Sequence, residues 1–252
     1  MTSDKDTYAG FYGKVPTHGD FVSRRLPRSF IEPWDLWLQG AIASSREQLA
    51  DEWLDIYLTS PIWHFVLSPG ICGENGWAGI LMPSVDRVGR YYPLTLACSL
   101  ETGINPLQIV NGSSDWFQRA EELALTCLDD DFNLESFDSQ VMGLGSPVEC
   151  NPEAQIAIAE PAQHKAGSGA WRIPMSNPNG LRALYPGLSK QLLKELFFAY
   201  SLWWTSGSNR IDASLLVCQG LPPLDGFSAL LSGAWDERGW QEKILGPPPS
   251  VT

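Results

Sequence analysis

Trp77-Ala78-Gly79-Ile80-Leu81-Met82-Pro83-Ser84-Val85-Asp86-Arg87-Val88-Gly89-Arg90-Tyr91-Tyr92-Pro93-Leu94 sets an apolar segment on either side of a polar turn. The flanks, Trp77 to Met82 and Tyr91 to Ala97, are short and bordered by Gly or Pro, which marks strands rather than helices. A third segment of this kind, Ile62 to Leu67, comes just before them. The links between the three are too short to hold a crossover helix, so neighbouring strands pair antiparallel and form a meander.

Helical spacing surrounds this meander. From about Ile31 the residues Trp34, Trp37, Leu38, Ala41 and Ile42 recur three and four apart, with Ser29 as a cap and Pro33 near the first turn. A second helix is expected over Gln48 to Leu58, with Leu49, Trp53, Ile56 and Tyr57 on one side, acidic residues on the other and Pro61 as its stop. Tyr8 to Tyr12 reads as a first strand. Downstream, Ser114 caps a helix carrying Phe117, Ala120, Leu123, Ala124 and Cys127, and the run Asp129-Asp130-Asp131 opposes the helix dipole and belongs in a solvated loop. The stretch from Gly143 to Gly180 concentrates Gly, Pro, Ser and Asn around two short strand-like pieces, Gln155 to Ala159 and Ala170 to Ile173. It reads as a soft boundary inside one domain, between lobes at 8–142 and 143–252. After it come a helix capped by Ser189 with Leu192, Leu193, Leu196 and Phe197 inward, strands at Tyr200 to Thr205 and Ser214 to Cys218, and a short helix from Asp225 to Gly233. The fold class that follows is α+β: a largely antiparallel, in part mixed, central sheet flanked by helices in an α/β sandwich-like arrangement.

Composition narrows the function classes. A chain of 252 residues with 44% apolar and 18% charged residues has ample material for a core. The 11 Trp serve such a core, or a surface that binds another protein. A formal charge of -12 repels nucleic acid and anionic lipid, and the one basic cluster, Arg24, Arg25 and Arg28, is too small to reverse this and reads as a solvated approach to a helix. The 5 cysteines are odd in number, widely spaced and set in apolar surroundings, as expected of buried free thiols. The N-terminal residues lack the apolar region of an export signal, and no apolar run reaches the length of a membrane span, so neither membrane insertion nor export is expected and the cytoplasm is the default location.

Three readings of the polar turn stay open. In a structural one, Asp86 accepts hydrogen bonds from loop N–H groups or pairs with Arg90, while Gly89 supplies an unusual dihedral. In a binding one, Ser84, Asp86, Arg87 and Arg90 form a polar cap for a partner or for an anion such as a phosphopeptide, Arg being suited to bidentate recognition. In a catalytic one, a small hydrolase uses Ser84 as nucleophile, His18 as base and Asp20 or Asp86 as its orienter, although no Gly-x-Ser-x-Gly elbow is present. His18 and Asp20 could chelate a metal across Gly19, but a loop Asp more often caps backbone. His64 lies inside an apolar strand, His164 has no acidic or Cys neighbour at ligand spacing, and Gly167-Ser168-Gly169 lacks the Lys of a phosphate loop, so no metal or cofactor is expected. Glu121-Glu122 reads as a solvated helix face.

The polar turn has a companion. Gly13-Lys14-Val15-Pro16 leads to Gly19-Asp20-Phe21-Val22, and together with Pro83-Ser84-x-Asp86-x-Val88-Gly89-Arg90-x-Tyr92-Pro93-Leu94 it resembles the TagF proteins, accessory proteins of bacterial type VI secretion. Ser201-Leu202-Trp203-Trp204-Thr205 and Gly220-Leu221-Pro222 extend the resemblance toward the C-terminus; no such pattern stands out from Asp129 to Pro178. The resemblance implies a non-enzymatic cytoplasmic regulator that restrains assembly or firing of the secretion apparatus after translation, through a forkhead-associated scaffold protein. Some relatives carry a fused metal-dependent phosphatase domain; here only a lone Asp225-Gly226 is found, which makes any phosphatase of the pathway a separate partner. The candidate binding residues on the two loops are Lys14, His18, Asp20, Phe21, Ser84, Asp86, Arg87 and Arg90, with no catalytic residue among them.

Overall fold

The computed structural model describes residues 8–101, 103–148 and 181–243. Its frame is a seven-stranded sheet, with β1 (Gly10–Gly13), β2 (Val22–Arg24), β3 (Trp63–Leu67), β4 (Gly76–Met82), β5 (Leu94–Leu100), β6 (Tyr200–Thr205) and β7 (Ser214–Gln219) in the order β2-β1-β5-β4-β3-β6-β7. Every pairing in it is antiparallel. The expected meander is its centre, β3-β4-β5. Strands from both sides of the proposed 142/143 division share the sheet, because β6 pairs along β3 from Leu67↔Ser201 to His64↔Trp204.

Helices cover both faces. On one lie α1 (Arg28–Leu49), α2 (Trp53–Leu58) and α7 (Phe227–Ser232); on the other lie α3 (Pro106–Gly112), α4 (Ser114–Leu125), α5 (Leu134–Met142) and α6 (Leu181–Phe197). The period-2 alternation of strand side chains assigns the faces. Trp63, Phe65 and Leu67 of β3 point into the α1 layer, and Val66 points into the α4 layer with Ile80, Leu96 and Phe117. Small residues on the central strands make room for the rings of the α1 layer. A Cβ at Gly79 would lie 2.5 Å from the Phe65 ring and 2.3 Å from the Leu96 carbonyl. Trp34 lies 4.7 Å from Phe65 and stacks over Trp203 at 5.9 Å, and its indole N–H reaches the Thr95 hydroxyl at 2.9 Å. Trp37, Trp63 and Trp77 donate in the same way to backbone carbonyls, so these rings serve the core with their one polar atom satisfied.

Several element bounds differ from the sequence expectations. Helix α1 starts at Arg28, after an extended Pro27 that makes no side-chain cap, so Ser29 is inside the helix and Pro33 is in its second turn. It runs past the expected start of the second helix at Gln48 and breaks at Ala50, whose φ of 44° no α-helix accommodates. A short 3-10 turn, Ala50–Glu52, then leads into α2. Helices α3 and α5 were not expected; each has an Asn cap, Asn105 accepting from the Leu107 N–H and Asn133 from the Ser136 N–H. Helix α6 begins eight residues before the expected Ser189 cap, and Leu192 and Leu196, expected inward, are 50% and 70% exposed. The basic cluster is not simply a solvated approach either. Arg25, with φ 61°, pairs with Asp138 at 2.6 Å and donates to the Ala9 carbonyl, which ties β2 and β1 to α5. Cys72, Cys98, Cys127 and Cys218 are buried thiols in no disulfide among the described residues, and burial pushes the thiols of Cys72, Cys127 and Cys218 up to about 12. Cys150, His164, Gly167 to Gly169 and the two strand-like pieces lie outside the described residues.

Candidate functional site

The quoted stretch folds as β4, an eleven-residue connection and β5, and β1 lies beside β5, so the 14–21 loop and the 83–93 loop leave the same end of the sheet. Backbone contacts join them. The Arg87 N–H donates to the His18 carbonyl at 3.0 Å, and the Ser84 hydroxyl donates to the Lys14 carbonyl at 2.7 Å. The Arg90 guanidinium also donates to the Gly19 carbonyl.

Asp86 is the centre of the arrangement. Its side chain is fully shielded from solvent. One oxygen, Oδ1, accepts the N–H groups of Val88 at 3.0 Å and Arg90 at 2.9 Å; the other, Oδ2, accepts Lys14 Nζ at 2.6 Å and Arg90 Nε at 2.7 Å. Burial by itself would raise the carboxyl, but these four donors outweigh it and hold Asp86 well below the usual carboxylate range. Gly89, with φ 86°, lets the chain turn so that the Asp86 N–H meets the Arg90 carbonyl at 3.0 Å. The structural reading of the turn therefore describes Asp86 and Gly89 correctly.

A second anchor draws in residues from outside the two loops: Tyr57 on α2, Asp35 on α1 and Tyr12 on β1. The Tyr57 hydroxyl on α2 donates to the Ser84 carbonyl at 2.9 Å and accepts the Ser84 N–H at 3.0 Å. Asp35 on α1 accepts the hydroxyls of Tyr12 at 2.8 Å and Tyr92 at 2.6 Å, and burial followed by the Asp35 carboxylate pushes both phenols up. Phe21 stacks on Tyr12 at 5.4 Å and meets Tyr92 edge-on at 4.8 Å. Tyr92 stood in the quoted stretch, but Asp35 gave only the weak signal of an acidic residue on an otherwise apolar helix face. Tyr57 carried no signal beyond its period.

The candidate residues thus separate into two sets. Lys14, Ser84 and Asp86 are buried and joined to one another; His18, half-buried, contacts the hydroxyl of neighbouring Thr17 at 2.9 Å. The Ser84 hydroxyl gives its hydrogen bond to the Lys14 carbonyl and not to His18. Asp20, Phe21, Arg87 and Arg90 line an exposed rim, to which the structure adds Val88, 64% exposed. Arg90 is held by Asp86 and lies 3.9 Å from Asp20, so the two guanidinium groups are not both free of internal carboxylates as a dedicated anion site requires. Among the described residues no group of His, Cys, Asp and Glu could hold a metal ion, and no helix is long and apolar enough to cross a membrane.

A search of curated proteins finds no match. A crystal structure of PA0076 from Pseudomonas aeruginosa PAO1 is similar at 36% identity and a TM-score of 0.73, covering 97% of this chain and all of that one. The model of a family described as the TagF N-terminal domain, type VI secretion system-associated, matches residues 10–144, a span holding both loops, Asp35 and Tyr57. On this match and that solved relative, the chain belongs to the TagF N-terminal domain family.

Proposed function

We propose that this protein is a non-enzymatic, cytoplasmic regulator that restrains assembly or firing of the type VI secretion apparatus by binding a forkhead-associated scaffold protein, with any phosphatase of the pathway a separate partner. The observation that carries this reading is the division of the two loops into a buried anchor, Lys14, Ser84 and Asp86, and an exposed rim, Phe21, Arg87, Val88 and Arg90. An anchored loop loses little conformational freedom on binding, and aromatic and Arg side chains are those that most often dominate protein interfaces. The absence of catalysis is supported by the commitment of the Ser84 hydroxyl to the Lys14 carbonyl.

A pull-down from the native bacterium tests it. Wild type and an Arg87→Glu, Val88→Asp variant are compared, with melting temperatures measured in parallel. The wild type is expected to retain a forkhead-associated protein and the rim variant to lose it without a change in melting. Failure of the wild type to retain such a protein, or equal retention by the rim variant, overturns the reading.

A further inference from the structure

A cavity of about 410 Å³ opens on the opposite face of the sheet from α1, between α3, α4 and strands β3 and β6. Its volume is within the range of small-ligand sites. Phe117 and Trp204 supply an aromatic wall, with ring centroids 4.7 Å apart, and Leu125 adds apolar surface. Among the described residues, the charged groups lining it are the carboxylates of Glu121 and Glu122, with no Lys or Arg.

One of those carboxylates is held in place. His64 Nε2 lies 2.9 Å from Glu121 Oε2, and the imidazole packs against the rings of Phe117 at 5.2 Å and Trp204 at 5.3 Å. Its other nitrogen, Nδ1, is buried and has no hydrogen-bond partner among the described residues. A proton there would be an unsatisfied buried donor, so the neutral ring carries its proton on Nε2 and gives it to Glu121. Burial lowers the His64 pKa, and the Glu121 contacts only partly oppose this. A neutral donor orients the Glu121 carboxylate without cancelling its charge. Oε1 accepts no hydrogen bond among the described residues, and the Glu121 side chain is 39% exposed.

We infer that this cavity is a binding site for an organic cation on an apolar stem, an alkylguanidinium or alkylammonium, whose charge meets Glu121 and Glu122 while its stem lies along Phe117, Trp204 and Leu125. Carboxylates and aromatic rings both attract such a group, and the aliphatic stem fits the apolar wall. The cation comes either as a free small molecule or as an Arg or Lys side chain of a partner protein; the chemistry at the cavity is the same.

The test uses the full chain at pH 8 and three probes in saturation-transfer NMR and calorimetry: n-butylguanidine, its neutral isostere n-butylurea, and the capped peptide acetyl-Gly-Arg-Gly-amide. Two variants accompany the wild type. Glu121→Gln keeps an oxygen to accept from His64 and drops the charge, and Trp204→Leu removes the ring but keeps apolar bulk. The expected result is binding of n-butylguanidine to wild type, weakened about tenfold or more in Glu121→Gln, with n-butylurea also at least tenfold weaker. If the peptide competes for the same site, a protein side chain is the source; if only n-butylguanidine enters, a free cation is. The inference is overturned if neither cation binds, if n-butylurea binds as well as n-butylguanidine, or if a Glu121→Gln protein with wild-type circular dichroism binds undiminished. Should Trp204→Leu fail to fold, Glu121→Gln decides alone.

Discussion

Asp86 is a buried charge facing two cations, and such an arrangement costs far more to break than its surface counterparts. Asp86→Asn would leave the ammonium of Lys14 buried without a countercharge, and a fall in melting temperature of roughly 10 °C is expected. By contrast, Arg87 projects outward, and Arg87→Ala should stay within about 0.5 kcal/mol of wild type by urea denaturation. The pH dependence has a definite sign. The folded Asp86 carboxyl titrates below its unfolded value, so its contribution is fully present above the unfolded pKa of about 3.9 and is lost as pH falls toward the folded one. The melting gap between wild type and Asp86→Asn should therefore be constant from pH 8 to 5 and narrow below pH 4. His64 works in a different window. Its folded pKa is lowered by burial, so the unfolded state binds more protons as pH drops below about 6.5 and stability falls with it. His64→Gln, which keeps a donor for Glu121, should flatten the melting profile between pH 6.5 and 5; an unchanged profile would mean that His64 is charged in the folded protein.

The strands of the meander were legible because their apolar runs are short and bounded, and the register between them was set by residues that only the pairing reveals. Gly79 is opposite Phe65 and beside Leu96, so Gly79→Ala forces a methyl into backbone and ring together and should cost about 3 kcal/mol or more. Nothing lies within 4 Å of a Cβ at Gly89, so Gly89→Ala should cost only the left-handed conformation, about 1 kcal/mol. Chemical denaturation of the two variants checks this ordering. Helices α3 and α5 are hard to see in the sequence because each buries only two apolar residues, Pro106 and Ile109 in one and Phe137 and Val141 in the other, too few to mark a 3.6-residue period, even though Asn105-Pro106 and Asn133 are cap signals. Helix α6 misled for a different reason. Its Leu192 and Leu196 obey helical spacing, yet both face out, because periodicity marks a face and not what covers it.

At the scale of the molecule, two loops far apart in sequence become one surface because β1 is inserted beside β5 at one end of the sheet. The sequence carried the site's residue types and the pairing of loops through family resemblance, but it could not separate anchor from rim. That separation depends on which oxygen of Asp86 meets which donor and on Tyr57 and Asp35 arriving from α2 and α1, and neither leaves a periodic trace. The rim, Phe21, Arg87, Val88 and Arg90, is the proposed recognition surface. The direct measurement is the dissociation constant between this protein and the purified forkhead-associated scaffold of the same bacterium, for wild type and for Arg87→Glu, Val88→Asp. Measurable binding by wild type, a loss of about a hundredfold or more in the variant and identical melting temperatures are expected if the rim is the recognition surface; binding that is absent from wild type, or unchanged in the variant, would contradict this.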